Sequence, residues 1–175
     1  MQLFENGEID YVQLSTSNYL KYEEDPRVLL APYNSVRHVV VNTINPEKPI
    51  LANEKFRQAL YYGVDRENLA SLVPTTHMMD LNKNITFRDT EEGKANRKEN
   101  YGYDPEKAKQ LFDEAMSEEG LDKLTLTMHY SDTELMAQMS EFLQQSWPKL
   151  FGADRFELKL QAMPANQLSQ VKRGW

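Results

Sequence analysis

An α/β fold is predicted by two periodicities that alternate along the second half of the chain. Residues 124–130 and 156–160 place apolar side chains at every second position, which is the pattern of a half-buried strand. The segments before and between them repeat apolar residues three and four positions apart, which is typical of an amphipathic helix. Strands that alternate with helices of this length predict strand–helix–strand units with a right-handed crossover.

The N-terminal part is predicted to begin with one strand and one helix. Residues 8–14 include the strand-like run Ile-Asp-Tyr-Val. Residues 18–24 form a short predicted helix, because Thr16 or Ser17 can cap its first turn and Pro26 ends it.

Two further strands are predicted before the next helix. Residues 27–32 form one, and residues 36–44, which are rich in β-branched side chains, form the other. The apolar residues of the second run (Val36, Val39, Val40, Val41 and Ile44) fall on both faces, so we expect it to be buried between two layers. Pro46 and Pro49 then mark a turn.

Two consecutive helices are predicted next, at residues 52–64 and 65–73. The first has an apolar face that we expect to pack on the sheet, formed by Phe56, Ala59, Leu60 and Gly63. Arg57 is expected to reach a polar partner, and Asp65 to cap the second helix. Residues 74–103 are polar and long for a connection inside a compact domain, so we interpret them as a surface excursion.

The last part of the chain is predicted to contain two long helices and the beginning of a third. Residues 104–106 (Asp-Pro-Glu) are typical of a helix start, and Gly120 ends that helix. Its apolar face consists of Ala108, Leu111, Phe112 and Ala115. Ser131 or Asp132 is expected to cap the next helix, and residues 167–173 begin the last one. The apolar face of the long helix consists of Leu135, Met139, Phe142, Leu143 and Trp147.

Length, charge and composition exclude several classes of protein. The chain fits one domain, or one domain with part of another. Its net charge of −7 argues against nucleic-acid binding, which needs clustered Lys and Arg. The absence of cysteine excludes disulfides, thiolate metal sites and cysteine nucleophiles. The sequence shows no signal peptide and stops abruptly, so we expect the natural protein to start upstream and to continue beyond Trp175.

The sequence contains no recognisable reaction centre. Residues 93–94 (Gly-Lys) lack the rest of a phosphate-binding loop, and no Gly-x-Ser-x-Gly motif is present. The acidic pairs at residues 91–92 and 118–119 are typical of a solvated surface, and Trp147 is interpreted as core rather than as a ligand-stacking platform. We therefore predict no catalytic residue, no cofactor and no metal. The three histidines share no ligand spacing and are interpreted as surface or structural imidazoles: His38, His77 and His129.

Three blocks of sequence, in order, resemble the solute-binding proteins of oligopeptide and dipeptide ABC importers, the extracytoplasmic peptide-binding family 5. The blocks are residues 7–10 (Gly-Glu-Ile-Asp), then Asn42, Pro49 and residues 53–67 (Asn-Glu-Lys-Phe-Arg-Gln-Ala-Leu-Tyr-Tyr-Gly-Val-Asp-Arg-Glu), and then residues 103–112 (Tyr-Asp-Pro-Glu-Lys-Ala-Lys-Gln-Leu-Phe). The middle block is the most specific. It departs from the family pattern at Phe56, where Val is usual, and at Gly63, where Ala is usual.

The resemblance implies a lobe of the periplasmic binding protein-like fold, type II, an α/β architecture with a mixed sheet flanked by helices. Residues 1–35 would be the C-terminal remnant of a first lobe that leads to the hinge. Residues 36–175 would be the second lobe, truncated at its C-terminal end, with the hinge strand near residues 39–42. Two such lobes would close on a ligand, because the ligand stabilises the closed state through contacts with both.

The resemblance also implies a function and its partners. The protein would hold an oligopeptide as an added strand and deliver it to ABC permease subunits, without catalysis. It would be extracytoplasmic and bacterial, either a cell-surface lipoprotein or periplasmic, and a lipid anchor outside this segment would be its only membrane contact. The family's acidic residue that meets the peptide's amino terminus would lie just beyond Trp175.

Five candidate ligand-binding residues follow from position. Ligands in α/β folds meet the ends of strands, and the candidates are Asn42 at the hinge, Tyr130 and Ser131 at one strand end, and Gln161 and Met163 after the last strand. The alternative function is an adhesin, a signalling receptor or a chaperone on the same scaffold, with a protein as partner. A hydrolase is disfavoured because no catalytic constellation is present.

Overall fold

The structure, a computed structural model, describes residues 1–30, 37–72 and 102–173. The helices of these ranges are α1 (Gln2–Glu5), α2 (Thr16–Tyr22), α3 (Glu54–Tyr62), α4 (Arg66–Leu72), α5 (Pro105–Glu118), α6 (Glu134–Phe151) and α7 (Ala165–Arg173). The strands are β1 (Leu124–Ser131) and β2 (Phe156–Met163), and a 3-10 turn spans Pro49–Ala52.

The two strands form a parallel sheet joined by α6, which confirms the α/β prediction. Their register runs from Leu124 beside Phe156 to Ser131 beside Met163. Side chains alternate between two faces along each strand. One face packs into the core, and its buried members are Leu124, Phe156 and Leu158, with Leu126, Met128 and Leu160 partly buried against the same core. The other face consists of Thr125, Thr127, His129 and Ser131 beside Glu157, Lys159, Gln161 and Met163.

A column of phenylalanines connects the helices to this sheet. Phe112 of α5 stacks on Phe151 with ring centroids 4.5 Å apart and meets Phe156 of β2 edge-on at 5.8 Å. Phe56 of α3 lies on its other side, with centroids 6.3 Å apart. The prediction that Phe56 and its neighbours pack on the sheet is therefore wrong, because α5 lies between α3 and the sheet and receives the apolar face of α3.

Gly63 explains one departure from the family pattern. It ends α3 with a φ of −79°, which any residue can adopt. A Cβ at this position would lie 3.0 Å from the Ala59 carbonyl oxygen and 3.0 Å from Leu150 Cδ2. The missing side chain therefore lets the end of α3 approach the end of α6 closely.

Side-chain caps define most of the helix starts in the described residues, and two of them, Asp104 and Asp65, agree with the prediction. Asp104 Oδ1 accepts from the Lys107 N–H at 2.9 Å, and Asp65 Oδ1 from the Asn68 N–H at 3.0 Å. Gly120 follows the end of α5 with a φ of +63°, as expected for a residue that stops a helix. The expected partner of Arg57 is the Ala52 carbonyl oxygen, 2.6 Å from Nη1.

Two predicted caps are wrong by one or two residues. Helix α2 begins at Thr16 because Ser15 accepts from the N–H three residues later at 3.4 Å. Helix α6 is capped by Thr133, whose Oγ1 lies 3.4 Å from the Met136 N–H. Ser131 does not cap α6, because it is still paired with Met163 in the sheet.

The three strands predicted before residue 45 are not found in the described residues. Residues 8–14, 27–30 and 37–44 lie outside helices and strands, while residues 31–36 lie outside the described part of the chain. The side chains of Val39 and Ile44 are 45% and 72% exposed, so the prediction of a buried strand here is wrong. A strand needs a partner for its backbone N–H and C=O groups, and none of the described residues pairs with these segments. Residues 74–101 of the predicted excursion lie outside the described residues.

Ionic contacts brace the helices from outside the core. Lys55 Nζ of α3 lies 2.7 Å from Glu114 Oε2 and 2.6 Å from Glu118 Oε1 of α5. The two carboxylates raise the pKa of Lys55 above its ordinary value, and Lys55 lowers the pKa of each of them. The acidic pair at residues 118–119 therefore belongs partly to a helix–helix contact.

Candidate functional site

Four of the five predicted site residues meet at the carboxyl end of the parallel strands. Ser131 and Met163 are register partners in the last pair of the sheet. Tyr130 lies one residue before Ser131, and Gln161 lies two residues before Met163. The strands bring these residues together because parallel strands end at the same edge.

The fifth residue, Asn42, lies in the segment 37–44. Its Oδ1 accepts from the Ile44 N–H at 3.2 Å, a local turn contact. In the described part of the chain, no hydrogen bond connects Asn42 to the other four candidates. Its place at a hinge stays a prediction.

The four gathered residues divide between the two faces of the sheet. Tyr130 continues the core face, whereas Ser131, Gln161 and Met163 lie on the opposite face. Gln161 is exposed, and Ser131 and Met163 are half-buried. A ligand on the second face would therefore meet Ser131, Gln161 and Met163 together, and Tyr130 only from the edge.

Polar side chains at this end of the sheet have unused hydrogen-bonding groups. In the described residues, no hydrogen-bond partner is found for the Tyr130 or Ser131 hydroxyl or for the Gln161 amide. The opposite end of the sheet differs, because the Thr125 hydroxyl donates to Glu157 Oε2 at 3.0 Å. On the outer edge of β2, Gln144 Nε2 donates to the Leu158 carbonyl at 2.9 Å. The carboxyl end of the strands therefore keeps polar groups that a ligand could bind.

His129, which the sequence indicates as a surface or structural imidazole, lies on the same face as Ser131, Gln161 and Met163, and we call these four residues the patch. It is the register partner of Gln161 and lies two residues before Ser131 on the same face. Its Nδ1 is buried and has no hydrogen-bond partner among the described residues. The signal that could have found it is the strand period of two, which places His129 and Ser131 on one face.

The first residues of two helices lie close to the patch. Helix α6 begins at Glu134, three residues after β1, and α7 begins at Ala165, two residues after β2. The hydroxyl of Ser17, in α2, lies 3.4 Å from Glu134 Oε2, so the N-terminal segment also reaches this end of the sheet. A ligand here would therefore be bordered by both halves of the described chain.

A second concave surface is a groove along one helix. It is open, its volume is about 880 Å³, and it is lined by Asp104, Glu106, Lys107, Lys109, Gln110, Leu111, Asp113 and Glu114. All of these residues belong to α5 or its cap, and their charges are mixed. We assign the groove to the solvated face of α5, because ligand sites are enclosed and largely apolar with a few converging polar groups.

Neither a metal-binding cluster nor a membrane-crossing helix is found in the described ranges. No group of three or more His, Cys, Asp or Glu residues there could hold a metal ion. No helix in these ranges combines the length and the apolar character that a bilayer crossing needs. The donor set at the carboxyl end, with hydroxyl, amide, imidazole and thioether groups, is suited to hydrogen bonding and apolar contact with an organic ligand.

The family model that matches this sequence covers almost the whole chain. The model for bacterial extracellular solute-binding proteins, family 5, middle part, matches residues 1–174. The oligopeptide-binding protein OppA of Bacillus subtilis (strain 168) is 26% identical over 165 residues, which are 88% of this chain and 29% of OppA. The dipeptide-binding protein of Lactococcus lactis subsp. cremoris (strain MG1363) is 26% identical over 171 residues, which are 91% of this chain and 31% of that protein.

A solved structure has the same fold. The structure of Listeria monocytogenes OppA bound to peptide matches with a TM-score of 0.78 at 17% identity, covering 97% of this chain and 34% of that protein. At this identity the likeness shows the fold, and it confirms the prediction of a periplasmic binding protein-like architecture. The chain spans about a third of the length of the relatives it matches.

Proposed function

Because this chain belongs to family 5 of the bacterial extracellular solute-binding proteins, we propose that it forms part of the peptide-binding site of an ABC importer's solute-binding protein. The proposed ligand is an oligopeptide, and the proposed partners are the permease subunits that accept it. In this proposal the chain binds and releases its ligand without chemical change, as befits a relative of binding proteins.

The observation that carries the proposal is the collection of unused hydrogen-bonding groups at the carboxyl end of β1 and β2. Ser131 and Gln161 can bond the main chain of a peptide, while Met163 offers a flexible apolar surface to its side chains. Ligands of open α/β sheets bind outside the carboxyl ends of the strands. The site therefore has the position and the chemistry that a peptide with varied side chains requires.

The division of the chain into lobes is part of the same proposal. Residues 1–35 would end a first lobe, and residues 36–175 would form most of a second lobe, with Asn42 at the hinge between them. The contact between Ser17 and Glu134 is compatible with a ligand that is bordered by both parts. Closure would then depend on ligand contacts from both lobes.

The family is extracellular, and the protein is assigned outside the cytoplasm on that ground. We propose further that it is held at the bacterial surface as a lipoprotein or lies in the periplasm. Treatment of cells with a lipoprotein-specific signal peptidase inhibitor distinguishes the lipoprotein from the periplasmic protein. An accumulated precursor supports the anchored form, and an unchanged mature protein supports the periplasmic form.

Calorimetry on the natural polypeptide that carries this chain tests peptide binding. The probe is a tryptic digest of casein, followed by the single peptide that the protein retains from it. We expect saturable binding and a rise in melting temperature, because a ligand that binds only the folded state stabilises it. The double variant Ser131→Ala/Gln161→Ala should bind more weakly, by about tenfold for two lost hydrogen bonds.

The matched control is Gln145→Ala, an exposed glutamine of α6 whose loss should leave the affinity unchanged. A protein that neither retains a peptide nor gains thermal stability from the digest contradicts the proposal. Hydrolysis of the retained peptide, detected by mass spectrometry after incubation, contradicts the non-catalytic part of it. If the wild type and the double variant bind the peptide with equal affinity, the peptide binds somewhere other than the strand ends.

A further inference from the structure

We propose that His129 is a further ligand-contacting residue of this site and that its Nε2–H donates a hydrogen bond to a main-chain carbonyl of the peptide. This inference rests on the peptide-binding function proposed above. It adds a residue to the site and specifies which part of the ligand that residue recognises.

His129 lies next to the predicted site residues in the sheet register. His129 and Gln161 form one pair of neighbouring residues, and Ser131 and Met163 form the pair at the strand ends on the same face. Parallel strands lie about 4.8 Å apart, and alternate residues of one strand lie about 6.6 Å apart. The four side chains therefore form one contiguous patch, in which His129 is as close to Gln161 as Ser131 is to Met163.

The spacing of this patch matches the repeat of an extended peptide. Carbonyl groups on one side of an extended chain also recur every two residues, at about 6.6 Å. Helix α7 also packs on β1, so a peptide would approach the patch at the carboxyl end of β1, where it can present one carbonyl to His129 and another to the Ser131 hydroxyl. Donors spaced in this way recognise the main chain, which every peptide shares, and not a particular side chain.

The two nitrogens of the His129 imidazole differ in their surroundings. Nδ1 is buried without a hydrogen-bond partner, whereas Nε2 is not among the buried unpartnered atoms and has no bond to any described residue. A buried N–H without an acceptor is rarer in proteins than an acceptor without a donor. The neutral tautomer that carries its proton on Nε2 is therefore favoured, and it presents a donor at the patch.

The test compares three substitutions in the natural polypeptide, with the casein peptide retained by the wild type as probe. His129→Gln places an amide N–H near the position of Nε2, His129→Asn places it near Nδ1, and His129→Leu removes it. We expect His129→Gln to bind within about twofold of the wild type, and the other two variants to bind about three- to tenfold more weakly, as for one lost hydrogen bond.

Nitrogen NMR of the wild-type imidazole supplies a readout that needs no variant. Peptide addition should shift the Nε2 resonance of His129 more than the Nδ1 resonance. Three results would overturn this inference and leave peptide binding itself in place. The first is equal affinity of the three variants, and the second is a His129→Gln variant that binds as weakly as His129→Leu. The third is an Nε2 resonance that does not move in the peptide complex. A wild-type protein that retains no peptide overturns both.

Discussion

Replacement of Phe112 by Ala tests whether the phenylalanine column holds α3, α5, α6 and the sheet together. Phe112 is fully buried and contacts the rings of Phe56, Phe151 and Phe156. Loss of a buried Phe side chain costs about 3–5 kcal/mol, through lost transfer free energy and the cavity that remains. We expect a value near the upper end of this range, because α3, α6 and the sheet, which surround Phe112, cannot all move inward.

The assay is urea unfolding followed by far-ultraviolet circular dichroism. With an m-value of about 2 kcal/mol/M, the unfolding midpoint should fall by about 2 M. Phe112→Leu keeps most of the volume and should cost only about 1–2 kcal/mol, mostly the ring contacts. Leu29→Ala is the control, because Leu29 is 91% exposed and its loss should change stability by less than about 0.5 kcal/mol. A cost below about 1 kcal/mol for Phe112→Ala would refute the column as the centre of the core.

Two further predictions concern single side chains with distinct surroundings. Trp147 is buried, but its Nε1 has no hydrogen-bond partner in the described chain. In the same urea assay, Trp147→Phe should therefore cost about 1 kcal/mol or less, while Trp147→Ala should cost about 3–5 kcal/mol. Equal costs of the two substitutions would show that the indole N–H matters. Arg27 lowers the pKa of Asp25 from 3.8 to about 2, chiefly through a side-chain hydrogen bond. Because the pKa is lowered in the folded state, the stabilisation is present above pH 3.8 and is lost as the pH falls towards 2. The melting temperature of Asp25→Asn should therefore fall less over that interval than that of the wild type, and parallel curves would contradict the assignment.

The two strands and two of the helix caps could be predicted because their signals are local. The alternation at residues 124–130 and 156–160 and the caps at Asp65 and Asp104 depend on a few neighbouring residues, and the structure confirms them. The cap of α6 was misplaced because the sequence does not say how far β1 continues. Only pairing with Met163 keeps Ser131 in the strand.

The first half was predicted less well because strand formation is not local. The β-branched run at residues 36–44 has strand propensity, but its backbone groups need a partner that none of the described residues supplies. The packing of α3 was also misjudged, because an apolar face shows that Phe56 is buried but not whether a helix or a sheet covers it.

The candidate site could be located only through strand ends. Position predicted Tyr130, Ser131, Gln161 and Met163, and the register places them at one edge of the sheet. His129 was missed because a lone histidine has no motif, and its relation to Gln161 depends on how the two strands align.

Methyl NMR of the methionines tests the central claim most directly. The ε-methyl resonance of Met163, assigned through Met163→Leu, is followed in the natural polypeptide while the retained casein peptide is added. The account predicts a saturable shift for Met163 and little change for Met116, which is buried in the core. A peptide that binds while the Met163 resonance stays unmoved would contradict a binding site at the carboxyl end of β1 and β2.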